Sequence, residues 1–132
     1  MLAVMNEAGE IVEQIKFPTN PDYHSHIEDL KTNLKQLKTT AFKACGLAIP
    51  GKVDREHGIG IAFGNLDWEN VPIAADFEAA LHCPVVLEND AKSAGLSEAR
   101  LIKNDFRKVL YVTIGTGIGT ALIIDGNIDP NF

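Results

Sequence analysis

Short apolar runs closed by Gly, Pro or Asn alternate along this chain with stretches whose apolar residues recur every three or four positions, which restricts it to a layered α/β fold. Leu2–Met5 and Ile11–Phe17 are the first two runs. Asn6, Glu7, Ala8 and Gly9 between them suit a hairpin turn. Pro18, Asn20 and Pro21 stop the second strand, and Ser25 with Glu28 has the spacing of a capping box at a helix start. Ile27, Leu30, Leu34, Leu37 and Ala41 then form one helical stripe. Ala44–Ile49, stopped by Pro50-Gly51, reads as a strand buried on both faces. A second apolar segment at Ile59–Phe63 suggests a strand leading into an ordered Gly- and Asn-rich loop. Asp76, Phe77, Ala80 and Leu81 imply a short helix, Pro84–Leu87 a buried strand, and Ala91–Leu101 another helix. Strands alternating with helices predict a mixed, mostly parallel sheet.

Val109–Ile114 is the last clear strand, and it runs into Gly115-Thr116-Gly117-Ile118-Gly119. In a dinucleotide fingerprint such glycines open a helix. Here they are followed by the β-branched, apolar Thr120–Ile124 and then by Asp125-Gly126-Asn127, so the order is strand, glycine turn, strand. Alone, the motif fits a tight hairpin that needs positive φ. Free backbone N–H groups without side chains also admit a phosphate, and Thr116 adds a hydroxyl donor. Glu88-Asn89-Asp90 stands at the carboxyl end of the Pro84–Leu87 strand, where open α/β sheets bind ligands. The same residues are suited to capping the helix that follows, and the residues leave both roles open. Pro50-Gly51 ends the Ala44–Ile49 strand in a matching position, where a plain strand terminator is equally expected.

With 45% hydrophobic and 23% charged residues, the chain falls among globular proteins. Its net charge of -6 opposes a nucleic-acid surface, and the lysines from Lys31 to Lys43 are spaced for the wet side of a helix. No apolar run approaches a bilayer span and no signal-peptide pattern opens the chain, so the expected location is cytoplasmic. Cys45 and Cys83 lack the close pairing of zinc or redox motifs and read as reduced, buried small hydrophobes. Trp68 reads as a packing residue. His24, His26 and His57 read as loop residues and His82 as a helix-end residue, in solvated or capping roles and without metal-ligand spacing.

Four segments in this order resemble the ROK family of repressors, open reading frames and kinases: Gly46–Asp54 (GLAIPGKVD), Asn65–Ile73 (NLDWENVPI), Pro84–Ala99 (PVVLENDAKSAGLSEA) and Val109–Gly119 (VLYVTIGTGIG). The resemblance implies an actin-like ATPase fold (ribonuclease H-like), with two α/β lobes around a cleft that holds ATP, magnesium and a hexose. It assigns Asp90 as the general base toward the sugar hydroxyl and Asn89 as a neighbour that hydrogen-bonds the sugar. Gly51 becomes the backbone approach to the sugar, and Asn65 part of the loop that shapes the pocket. Gly115, Thr116, Gly117, Ile118 and Gly119 become the second phosphate loop, a coherent set because phosphoryl transfer asks mainly for positioning and charge stabilisation.

By the same resemblance, residues 1–107 belong to the N-terminal lobe and 108–132 begin the second. The family's first phosphate loop is expected before Leu2, and its histidine-containing sugar and zinc segments after Phe132, so no metal ligands are expected within the chain. Thr120 and Ala121 stand where many relatives continue with glycine. The expected function of the parent protein is ATP-dependent phosphorylation of a hexose or N-acetylhexosamine, with this chain alone inactive. The alternative is the sugar-sensing domain of a repressor, and a third reading is a structural remnant without a ligand. A homodimer is compatible with the family.

Overall fold

The computed structural model describes residues 1–103 and 105–132. The first strands, β1 (Leu2–Met5) and β2 (Ile11–Ile15), form the expected antiparallel hairpin, with Leu2 opposite Ile15. Helix α1 spans Tyr23–Leu34. Its cap differs from the capping box expected at Ser25. Asn20 holds the Asp22 amide, and the Asp22 carboxylate accepts the Ser25 N–H at 2.8 Å, so Asp22 is the N-cap and Ser25 lies inside the first turn. The helix also stops before Leu37 and Ala41. The Lys38 and Thr39 amides that would continue it donate instead to the Glu13 carboxylate on β2, at 2.7 and 2.8 Å. Leu37 is nonetheless buried, whereas Ala41 is exposed.

Strand β3 (Cys45–Ile49) pairs in parallel with β7 (Val85–Asn89), and α2 (Ile73–Leu81) precedes β7 in the chain. Between them the Gly- and Asn-rich stretch is more ordered than a strand and a loop. It forms a three-stranded antiparallel sheet of β4 (Lys52–Asp54), β5 (Ile59–Phe63) and β6 (Leu66–Val71). After α3 (Asp90–Leu101) come β8 (Lys108–Ile114), β9 (Ile118–Ile124) and β10 (Asn127–Ile128), also antiparallel. The fold therefore combines parallel and antiparallel pairing, as expected, but in separate sheets, and β3–β7 is the one parallel ladder among the described residues. β3 and β7 are buried on one face rather than two: Leu47, Ile49 and Leu87 point inward, while Gly46, Ala48 and Val86 are exposed. An apolar run does not state which of its faces a neighbour covers.

The main core gathers Leu30 of α1, Ile49, Phe63, Trp68, Ile73, Phe77 and Leu87. Trp68 is a packing residue that also donates its indole N–H to the Pro21 carbonyl at 2.7 Å. Tyr23 donates its hydroxyl to Asp76 at 2.6 Å and so tethers α1 to α2. Cys83 is buried and Cys45 half-buried, both as free thiols, and burial raises the Cys45 thiol's pKa. A second, smaller cluster of Ala99, Ala121 and Ile123, flanked by Leu96, Val109 and Tyr111, joins α3 to the β8–β9 hairpin. Among the described residues no helix is long and apolar enough to cross a membrane.

His24 and His26 depart from the expected loop positions, whereas His57 stands in a turn and His82 at a helix end, as expected. His24 and His26 lie on α1, His57 pairs with Asp54 at 2.8 Å, and His82 adopts a left-handed conformation (φ 56°) as the α2 C-cap. The His26 ring lies beside Phe17 and Trp68, with centroids 6.0 and 5.2 Å away, and its Nδ1 is buried without a hydrogen-bond partner. Burial holds its pKa below the ordinary imidazole value, partly offset by Asp29. The folded state thus favours the neutral ring, while the unfolded chain takes up a proton near pH ~6.5. This contribution to stability is present above that pH and is lost as pH falls below it. Urea unfolding at pH 7 and pH 5 should therefore show a smaller acid loss in His26→Phe than in the unaltered chain; equal losses would show that His26 is not the group responsible.

Candidate functional site

The parallel register places Ile49 opposite Asn89, so β3 and β7 end side by side and their following turns open on the same edge. After β3, Pro50-Gly51 turns with Gly51 at φ +88°, and a Cβ there would lie 2.0 Å from the Ala62 carbonyl oxygen. Only glycine fits both conditions. After β7, Asn89 caps α3: its Oδ1 accepts the Lys92 N–H at 3.1 Å, and its backbone carbonyl accepts the Ser93 hydroxyl at 3.0 Å. Its Nδ2 donates across to the Gly51 carbonyl at 2.9 Å. Asn89 is thus a helix cap and a strap between the two turns at once, leaving one amide hydrogen and one oxygen lone pair for a ligand.

Asp90 follows as the first residue of α3 and is exposed. One carboxylate oxygen accepts the Ala91 N–H at 2.8 Å. The other has no hydrogen-bond or ion-pair partner among the described residues. The carboxylate is therefore fixed at one end and available at the other.

The third wall is the β8–β9 hairpin, brought to α3 by missing side chains. A Cβ at Gly119 would lie 2.7 Å from the Ala91 Cβ, and one at Gly95 2.8 Å from the Ala121 Cβ, so these glycines permit helix and hairpin to pack closely. Gly115 and Gly117 have no such reason. Neither has positive φ, contrary to the requirement expected of a tight hairpin, and an added Cβ at either meets nothing within 4 Å. The turn closes through Gly115 N–H to the Gly117 carbonyl at 2.8 Å. The rest of its surroundings is open, a bare backbone that a phosphate can approach.

These elements border one open cleft of about 1440 Å³. Its walls include Gly51, Asn65, Asn89, Asp90 and Thr116 to Gly119; of the residues singled out in the sequence, Gly115 lies just outside it. Ligand pockets typically measure roughly 300–1,000 Å³, so this open cleft is large enough to receive a ligand. The cleft also brings in Lys52, Arg55 and Lys92, which carry no sequence signal beyond their charge. Their position follows from the β4–β5 turn and the α3 axis. Among the described residues no cluster of three or more His, Cys, Asp or Glu could hold a metal ion.

The ROK family model matches residues 1–129. The chain belongs to the ROK family. It is 30% identical to a glucokinase of Halalkalibacterium halodurans over 96% of this chain, and spans 41% of that relative's length. It is 30% identical over 63% of its length to a xylose repressor of Caldicellulosiruptor bescii. Among solved structures, the ROK family glucokinase of Streptomyces griseus in complex with glucose and AMPPNP superposes with a TM-score of 0.81 at 27% identity, over 96% of this chain and 41% of that one. The ROK chain thus has the actin-like ATPase fold of its sugar-kinase neighbours.

The glycines separate structural from ligand roles. Gly119→Ala should lower the melting temperature by several degrees, as a clash worth about 1–3 kcal/mol does in a small domain. Gly115→Ala and Gly117→Ala should leave it within about one degree, since surface changes are usually near neutral. Equal destabilisation by all three, measured by thermal unfolding, would show that the turn glycines serve the fold.

Proposed function

We propose that the whole protein carrying this ROK chain transfers the γ-phosphoryl group of ATP to a hydroxyl of a hexose or N-acetylhexosamine, with Asp90 as the general base. The observation that carries this reading is that Asp90, a junction carboxylate with one unpartnered oxygen, lines the same cleft as Thr116 and Gly117 of the glycine turn. The chain spans 41% of the length of the Halalkalibacterium halodurans glucokinase. We therefore expect the 132 residues alone to phosphorylate nothing.

In the proposed reaction the sugar lies across the Gly51 turn and Asn89, which offer a backbone carbonyl and the remaining amide hydrogen, with Asn65 closing the pocket. Asp90 takes the hydroxyl proton while the hydroxyl oxygen bonds to the γ-phosphorus. The bond from that phosphorus to the bridging oxygen breaks, and ADP departs with the electron pair. The backbone of Gly115 to Gly119 and the Thr116 hydroxyl hold the phosphates in line, so the gain comes from orientation and from dipoles fixed in advance. Magnesium, when bound to the phosphates, neutralises charge that develops on them.

The likeness to a xylose repressor favours one second reading, a sugar-sensing domain. The same sugar contacts would serve it, without need of the proton transfer. A helix-turn-helix segment ahead of Met1 in the full gene would favour the sensor, and a second glycine loop there the kinase.

In the full-length protein, Asp90→Asn should lower kcat by about 10²- to 10⁴-fold while leaving hexose affinity nearly unchanged, because the amide still hydrogen-bonds the hydroxyl. Steady-state kinetics beside calorimetric sugar binding would check this. Unchanged turnover would mean that another group accepts the proton.

A further inference from the structure

Glu88 lies in the cleft immediately before the two residues assigned to the sugar. Strand alternation puts it opposite Leu87, which is in the core, so Glu88 points away from that core. Its Oε2 lies 2.8 Å from Nε of Arg55 in the β4–β5 turn, and its Oε1 accepts the Asn89 N–H at 2.7 Å. One carboxylate therefore grips both the turn and the backbone of the strand–helix junction. The turn itself is braced, since Asp54 accepts the His57 N–H at 3.0 Å and contacts its ring at 2.8 Å. These hydrogen bonds hold the Asp54 carboxyl below its usual pKa.

The Glu88 side chain is only 15% exposed and that of Arg55 35%. A partly buried ion pair is weak evidence for stability, because desolvation offsets much of the attraction, whereas loss of one partner strands the other. Its location is the more informative fact. It spans the wall of the cleft and ends on the peptide that leads into Asp90. We propose that Arg55 and Glu88 are a positioning pair, which sets the separation of the β4–β5 turn from the strand–helix junction and so the aim of Asn89 and Asp90 at the sugar. The inference rests on the sugar-site reading above.

The test compares the full-length protein with Arg55→Gln, Glu88→Gln, the double variant and Arg55→Lys, measuring hexose affinity, kcat, KM for each substrate and melting temperature. Each single Gln variant should lose about tenfold in kcat/KM for the hexose, less than the roughly 10²-fold that a 1 Å misplacement can cost, with KM for ATP unchanged. The double variant should be no worse than the poorer single, because the residues act as a unit. Arg55→Lys should recover part of the loss. Variants with lowered melting temperature but unaltered sugar kinetics would overturn the proposal, as would losses that simply add. Unaltered protein that binds no hexose would overturn the sugar-site reading and the pair with it; hexose binding indifferent to the variants would overturn the pair alone.

Discussion

The Asn89 side chain holds the site together from two directions. Its oxygen ends the orphan state of an α3 N–H, and its nitrogen crosses to the Gly51 carbonyl. A helix cap of this kind is worth about 1 kcal/mol, and the cross-strand bond contributes on the order of 1 kcal/mol more. The energy is modest but the geometry is not replaceable by one contact. The β3 turn, the β7 end and the α3 start are all referred to one amide group. Asp90, one residue further on, inherits that fixity while keeping a free carboxylate oxygen.

Close packing extends the same frame to the hairpin. Gly95 and Gly119 remove the side chains that would hold β8 and β9 away from α3, and the small cluster of Ala99, Ala121 and Ile123 fills the contact. The 115–117 turn is therefore presented beside the α3 start by contacts several residues away from it. Residues 108–132 lean on α3 through this packing. We take them as the beginning of a second lobe, with residues 1–107 forming the first, a division that rests on family resemblance.

Much of this was legible in the sequence, and the exceptions share a cause. The strand–glycine–strand order at 109–124 identified a hairpin, because β-branched residues follow the glycines. The α1 cap and end were misplaced because both depend on partners: Asp22 is reached through an Asn20 turn, and Glu13 arrives from a strand far back in the chain. The single buried face of β3 and the aromatic surroundings of His26 are also tertiary facts. At the site, Asn89 and Asp90 stood out by their place after an apolar run. Arg55 did not, because a charged residue in a polar turn looks the same whether it faces solvent or a carboxylate across a cleft.

Sugar and nucleotide are proposed to meet between the Asp90 carboxylate and the 115–117 backbone. A crystal structure of the full-length protein with a hexose and a non-hydrolysable ATP analogue would show whether they do. One sugar hydroxyl is expected within hydrogen-bond distance of the free Asp90 oxygen, roughly 2.6–3.2 Å, and the terminal phosphate against the glycine turn. A hexose bound outside the cleft, or a triphosphate whose terminal phosphate lies away from that turn, would contradict it.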